Sequence, residues 1–367
     1  MDCNKTVTRS GTPIKLLIGG SPCTKWSIAQ KNGREVLPKG IGWELFENYR
    51  IAKEKFQPDI FLYENNKSAA QPIKDAIYSA LGGGKDSSVR LTHIDSALVS
   101  AQHRQRFYVT NFGDIEQLED KGVLLRDVLE SGEDLSCREK AYTLTALYGG
   151  AVAWNTLERN QRTMVAEPVR IGTIESNVKN KSHDSKQYRV YSSDGKATTL
   201  CGQGGGVGAK TGLYACPINE IDGKPIYTVK NGLITIKDKQ YPVKLRDGYY
   251  IIRKLTPLEC ERLQTLPDGY TSGVSDTQRY RAIGNGWTAE VIIHILNHAL
   301  KDIPRDKELV VLSMYDGIAT GRYCLDKMGF TNVKYYAYEI DPYAIKIAMS
   351  NYPDIIQCGD AFQIRNF

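Results

Sequence analysis

The sequence lacks any apolar stretch approaching the roughly 18 residues of a membrane helix, so no spanning segment is expected. Its first residues, MDCNKTVTRSGTP, lack the apolar core of a secretory leader, and a cytoplasmic location is expected. There are eight cysteines but no C-x-x-C pair, and their spacing is irregular. Neither a zinc cluster nor a disulfide framework fits this pattern, whereas reduced thiols do. Histidine is scarce, with five in the chain. His294 and His298 stand four apart on an expected helix, but without the glutamate of a zinc protease, so no metal is expected. GGGVGAKT at 204–211 nearly matches a phosphate loop. Ala209 stands where the last glycine belongs, and Pro217 forbids a long helix after it. No internal repeat or low-complexity tail is visible.

What is there is a chain of 367 residues, 41% hydrophobic and 25% charged, with net charge +6 and a pI near 8.7. That balance describes a packed protein and permits a nucleic-acid partner without demanding one. Ile14 to Ile18 reads as a strand running into Gly19-Gly20-Ser21-Pro22-Cys23. Trp43 to Phe56 and Ala69 to Leu81 read as helices, and Asp59 to Tyr63 and Gln105 to Val109 as strands. The alternation predicts a parallel sheet with flanking helices over 14–114. From 115 to 250 helical periodicity fades into glycines, threonines and short strand-like pieces, locally basic over Arg159 to Lys210, which predicts a second, irregular β and loop domain. Alternation returns over 251–300. Thr256-Pro257-Leu258-Glu259 is a helix start, and Thr288 to Leu300 is a helix with an apolar face. The charged linker Lys301 to Glu308 then leads into a last part, 301–367.

That last part opens with the strand Leu309 to Met314 and the loop Tyr315-Asp316-Gly317-Ile318-Ala319-Thr320-Gly321. A helix from Arg322 to Met328 follows. Glu339 ends the next strand about 20 residues past the glycines, where an acid can accept from both ribose hydroxyls. Asp360 follows a third strand, Ile355 to Gln357, and suits an adenine amino group. The glycine spacing is G-x-x-x-G rather than the dinucleotide G-x-G-x-x-G, and Asp316 would repel a phosphate. A nucleoside without phosphate is therefore favoured. S-adenosylmethionine is one whose sulfonium charge balances an acid.

Cys23 follows a proline at the end of a buried strand, where parallel sheets place their ligand cleft. Glu64 stands at the tip of the next strand. Gln102, Arg104 and Arg106 alternate, so they are expected to point into one cleft. A thiolate, a carboxyl group and two arginines suit attack on a pyrimidine. Thiolate addition at carbon 6 makes carbon 5 nucleophilic, provided that nitrogen 3 is protonated or hydrogen-bonded. The arginines would keep the thiol ionised and stabilise charge on the ring oxygen.

These residues resemble the DNA (cytosine-5-)-methyltransferase family. GGSPC at 19–23 is similar to its catalytic loop, ENN at 64–66 to its glutamate motif, and QHRQR at 102–106 to its Q-x-R-x-R motif. RKLTPLECERLQTLPDGY at 253–270 and QRYRAIGNGW at 278–287 resemble its late motifs, and DGIATG and YEID its cofactor motifs. The likeness spares only 115–250, where the family keeps its target recognition domain. It implies an α/β, Rossmann-like methyltransferase sheet with a smaller recognition domain, and an enzyme that uses S-adenosylmethionine. By resemblance Cys23 would be the nucleophile, Glu64 would bond nitrogen 3, and Arg104 and Arg106 would hold the flipped base and the loop. The cofactor would meet Tyr315, Asp316, Gly317, Ile318, Thr320, Glu339, Ile340, Asp360, Ala361, Asn285 and Trp287. The motif order departs from the family by rotation, with the cofactor loop last, which implies a circular permutation. Ser-Pro-Cys, Thr24 and Gly286-Trp287 also depart, while Ser-Pro-Cys, D-G-I-A-T-G and the tryptophan resemble the animal de novo enzymes and related phage or bacterial ones.

A stacked cytosine must be flipped out to be attacked. The polar stretch with Lys25, Lys31, Arg34 and Lys39 is expected to close over it, hinged at Gly33, Gly40 and Gly42. Lys25, Arg34 and Gln102 are candidate DNA contacts. So are Arg189, Tyr191, Lys196, Thr198, Gln203 and Lys210 in the irregular domain. The expected substrate is double-stranded DNA, acted on by a monomer, with a cognate restriction endonuclease as a compatible partner. An RNA cytosine methyltransferase and an inactive DNA-binding homologue are the alternatives.

Overall fold

The computed structural model describes residues 11–27, 32–136, 138–169, 190–192, 213–215, 220–221 and 224–366. Two compact units divide the chain. One comprises Met1–Val128, Glu139–Gly150 and Thr256–Phe367, the other Leu129–Arg138 and Ala151–Leu255. The expected boundary at 115 therefore moves, because 115–128 and 139–150 pack in the first unit.

The first unit is built on a seven-stranded sheet. Its strands are β1 (Ile14–Gly19), β2 (Ile60–Asn66), β3 (Arg90–Asp95), β4 (Gln105–Thr110), β5 (Leu309–Met314), β6 (Val333–Tyr338) and β7 (Ile356–Gly359). Their spatial order is β7-β6-β5-β1-β2-β4-β3. β1 lies between β5 and β2, parallel to both, with Ile14 opposite Leu309 and Gly19 opposite Met314. β6 and β7 continue the parallel run. The expected parallel sheet is mixed at its other edge, where β4 runs antiparallel to both β2 and β3. β3 itself escaped the sequence reading, since a short, half-exposed strand carries little apolar signal.

Helices cover both faces. They are α1 (Ile41–Phe56), α2 (Gln71–Ala80), α3 (Pro257–Leu263), α4 (Asp276–Asn285), α5 (Ala289–Leu300), α6 (Thr320–Lys327) and α7 (Pro342–Asn351). Successive residues of β1 point to opposite faces. Leu16 and Ile18 pack with Val291, Ile295 and Ile347 of α5 and α7, while Leu17 packs with Phe46, Tyr49 and Ile73 of α1 and α2. α3 starts on a reciprocal cap, the Thr256 hydroxyl accepting from Glu259 N–H and the Glu259 carboxylate from Thr256 N–H. Gly42, expected as a hinge, lies inside α1. The 3-10 segment Ala361–Asn366 after β7 is tied to α1: Lys55 Nζ donates to the carbonyls of Ile364 and Arg365, and Arg365 Nε to Asn48 Oδ1.

The second unit is mainly β. Antiparallel strands run through Met164–Val169, Gly248–Lys254, Lys224–Lys230, Leu233–Ile236 and Lys239–Pro242, and Glu133–Asp134 pairs at the edge. Val190–Ser192, which contains Tyr191, pairs in parallel with Leu213–Ala215. Arg189, Lys196, Thr198, Gln203 and Lys210 lie outside the described residues, as does Lys31. Among the described residues no helix is long and apolar enough to cross a membrane.

Gly19 has φ +154°, and a Cβ there would sit 2.4 Å from the Met314 carbonyl oxygen of β5. Gly19→Ala should therefore force β1 and β5 apart and destabilise the protein by about 2 kcal/mol, read as a lower urea midpoint.

Candidate active site

The carboxyl ends of β1, β2, β5, β6 and β7 open into one cavity of about 390 Å³. At Gly20 a Cβ would lie 2.5 Å from the Glu64 carbonyl oxygen and 2.9 Å from its Oε2, so only glycine lets the end of β2 come this close. Ser21 is buried beside it. Its hydroxyl lies 2.7 Å from Tyr63 Oη, and Asn65 Nδ2 donates to the Ser21 carbonyl and to Tyr63 Oη. This cluster anchors the residues before Cys23. After Cys23 the chain turns at once, with the Trp26 and Ser27 N–H groups both donating to the Cys23 carbonyl. Trp26 is fully buried.

Cys23, Glu64, Arg104 and Arg106 all line the cavity. Arg106 Nε lies 2.8 Å from Glu64 Oε1. On the other side the Trp287 indole N–H donates to Glu64 Oε2 at 3.1 Å. Burial raises the Cys23 thiol above its ordinary value of 9.0; Arg106 and Arg104 oppose this, and Glu64 adds to it. Arg104 is buried and pushed down to about 9, by burial first and Arg106 second. It remains a cation at neutral pH. Its guanidinium donates to the carbonyls of Leu144, Gly284 and Gly286 at 3.0, 3.3 and 2.7 Å. Arg104 is thus a strut under the 284–287 turn as well as a source of positive potential.

The expected cofactor contacts from the 315–320 loop, Tyr315, Asp316, Gly317, Ile318 and Thr320, line the same cavity. So do Glu339, Ile340, Asp360 and Ala361 beyond β6 and β7, and Asn285 and Trp287 at the end of α4. The loop is bound tightly. Glu339 Oε2 accepts from Gly317 N–H, and Glu339 Oε1 from the N–H groups of Ile340 and Asp341. Tyr315 and Ala319 adopt left-handed φ near +60°, which costs backbone energy away from glycine. Tyr315 Oη donates to the Leu45 carbonyl and accepts from Asn48 Nδ2, joining the loop to α1. Asp316 is half-buried, and desolvation pushes its carboxyl up to about 6. Its Oδ1 accepts from Ser313 Oγ and Tyr335 Oη, while its Oδ2 has no partner. Thr320 Oγ1 is likewise buried without a partner.

One expected DNA contact is corrected. Gln102 is fully buried away from the cavity, because its amide is consumed by the Leu263 carbonyl, Gln264 Oε1 and the Leu144 N–H. Arg34 is committed to the protein, its guanidinium donating to the carbonyls of Trp26 and Ser68. It braces the segment after Cys23 while staying half-exposed. Lys25 is half-buried in the turn after Cys23. Sequence reasoning missed the Ser21–Tyr63–Asn65 cluster and the Trp287–Glu64 bond. The polar Asn65 inside a buried strand signals the first; nothing in sequence spacing signals the second. His294 and His298 face Glu116, whose carbonyl lies 2.7 Å from His294 Nε2 and whose N–H donates to His298 Nε2.

A family model described as C-5 cytosine-specific DNA methylase matches residues 2–301. The orphan methyltransferase M.SPBetaI of Bacillus phage SPbeta is 29% identical over 167 residues, covering 38% of this chain and 34% of that protein, so the chain spans about a third of that relative's length. The type II methyltransferase M.HhaI of Haemophilus parahaemolyticus is 25% identical over 311 residues, covering 78% of this chain and 75% of its own. Among solved structures the Entamoeba histolytica methyltransferase EhMeth superposes with a TM-score of 0.38 at 14% identity, covering 79% of this chain and 78% of that one.

Three outcomes follow from the geometry. Alkylation of Cys23 by iodoacetamide, followed by peptide mass mapping, should still accelerate with pH beyond 9.0, because burial holds the thiol protonated. Arg106→Leu should slow it further at any given pH, since the cation that favours the thiolate is gone. Arg104→Met should leave three carbonyls without their donor and lower the unfolding free energy by about 3 kcal/mol in urea titration.

Proposed function

Since the chain belongs to the C-5 cytosine-specific DNA methylase family, we propose that it transfers a methyl group from S-adenosylmethionine to carbon 5 of a cytosine flipped out of duplex DNA. The observation that carries this reading is the meeting of Cys23, Glu64 and Arg106 with the acid-lined 315–320 loop in a single cavity.

The residues present fit the donor. Buried, unpartnered Asp316 Oδ2 suits an ammonium group, and Thr320 Oγ1 is free to bond beside it. Glu339, fixed by three N–H donors, would take the ribose hydroxyls, and Asp360, whose Oδ1 accepts from Phe362 N–H, would take the adenine amine through its other oxygen. When bound, S-adenosylmethionine supplies an electrophilic methyl carbon that carbon 5 takes, while the sulfonium sulfur keeps the electron pair.

The protein's own part is the activation of the ring. Cys23 loses its proton to solvent and adds through Sγ to carbon 6. Glu64 gives a proton to nitrogen 3, so the displaced π electrons leave carbon 5 as an enamine nucleophile instead of a charged ring. Arg106 and Arg104 favour the thiolate that begins the step. After methylation the carbon 5 proton goes to water, the carbon–sulfur pair returns to Cys23, and nitrogen 3 returns its proton to Glu64. Base flipping is required because a stacked cytosine has both faces covered.

The mainly β unit is proposed as the target recognition domain. The motif order is proposed to be a circular permutation, in which β5–β7 with the cofactor loop follow the catalytic strands. The full-length pairing of β1 with β5 and the end of the family match at 301 support that reading. The protein is proposed to act as a monomer in the cytoplasm, alone or beside a cognate restriction endonuclease.

The test is incubation with labelled S-adenosylmethionine and mixed-sequence duplex DNA or RNA, with mapping of 5-methylcytosine. Transfer to DNA is expected; label in RNA alone would overturn the substrate. Cys23→Ser should abolish turnover with donor affinity retained, and a 5-fluorocytosine duplex should trap the wild-type protein covalently but not the variant.

A further inference from the structure

The Trp287 indole N–H donates to Glu64 Oε2 at 3.1 Å, across 223 residues of sequence. The opposite oxygen, Oε1, is held at 2.8 Å by Arg106 Nε. Each carboxylate oxygen therefore has one N–H donor from the protein and keeps lone-pair capacity for a substrate. The Glu64 side chain is only 12% exposed, so these two donors and the close packing at Gly20 fix its plane.

Trp287 is itself held from both sides. The Gly286 carbonyl accepts from Arg104 Nη2 at 2.7 Å, and Thr288, fully inside the protein, donates through Oγ1 to Gln264 Oε1 at 2.8 Å. The ring is half-buried and stands in the wall of the same cavity that Asp316 and Glu339 line. One residue thus forms part of the donor pocket and bonds the carboxyl group that meets the pyrimidine.

We propose that Trp287 is a positioning residue for Glu64: its N–H, not only its ring, sets the orientation in which the carboxyl group meets nitrogen 3 of the cytosine. The N–H bond strengthens as Glu64 gives its proton to nitrogen 3 and becomes a carboxylate, since a charge-assisted bond is worth more than an ordinary one, and a carboxyl group free to rotate would lose alignment with the ring plane. This inference rests on the function proposed above, and its test separates the two.

Replacing Trp287 by β-(3-benzothienyl)alanine through nonsense suppression keeps ring size and puts sulfur in place of the N–H. The readout is release of tritium from DNA carrying [5-³H]cytosine, with no methyl donor present. Thiolate addition at carbon 6 lets carbon 5 take a solvent proton and lose its tritium on reversal, so the assay reports Cys23 and Glu64 without the donor. Tritium release and methylation should both fall about tenfold, the equivalent of about 1.4 kcal/mol in the barrier, with S-adenosylmethionine affinity by calorimetry unchanged. Adding the same replacement to Glu64→Gln should cause no further loss.

Exchange at the wild-type rate overturns the proposal. So does loss of donor affinity with exchange intact, which would make Trp287 a wall of the pocket only. A full further loss on the Glu64→Gln background overturns it as well. Should the replacement unfold the chain, Trp287→Phe is read by the same three measurements. A wild-type protein that neither exchanges nor methylates DNA would instead sink the function itself.

Discussion

Two residues without side chains decide whether this site can exist. Gly19 lets the end of β1 lie against the Met314 carbonyl, and Gly20 lets it lie against Glu64. Any Cβ at either position would occupy space already filled by backbone. Because β1 sits between β5 and β2, closing both gaps draws the carboxyl ends of three neighbouring strands around one point. Cys23 arrives there from β1, Glu64 from β2 and the 315–320 loop from β5. The proposed nucleophile, acid and donor pocket are thus positioned by sheet geometry, with the loops only finishing the arrangement.

The buried polar chemistry follows from that crowding. A cation beside Glu64 needs a rigid mount, and Arg106 has one in β4, whose antiparallel pairing aligns it with Asn66 of β2. Arg104, just before β4, cannot face water, so it satisfies three carbonyls and thereby fixes the turn that carries Trp287. Ser21, Tyr63 and Asn65 solve the same problem beneath Cys23, each giving the others the partner that burial would otherwise deny.

Much of this was legible in the sequence, and the reasons differ by element. β1, β2 and β5 carry the short apolar runs Leu16–Ile18, Ile60–Tyr63 and Leu309–Leu312, a signature of strands buried on both faces. The residues at their tips could be named because a parallel sheet places its cleft there. The direction of β4 was not legible, since alternation is the same for a strand running either way. Gln102 was assigned to the cleft by alternation with Arg104. It precedes the regular strand, where the period of two does not apply, and a long amide can reach the Leu263 carbonyl. The bonds of Arg34 to the Trp26 and Ser68 carbonyls were not legible, because sequence shows charge but not the carbonyls waiting for it. The Trp287–Glu64 bond joins residues far apart in the chain, and no local pattern encodes it.

The raised thiol of Cys23 carries a consequence for the life of the protein between encounters. Peroxide and most environmental electrophiles attack sulfur as its anion. A sulfhydryl kept neutral by its surroundings is a poor target for them, although it stands at the end of an open cleft. Any change in its surroundings that lessens desolvation or strengthens the pull of Arg106 and Arg104 would shift the sulfur toward the reactive anion.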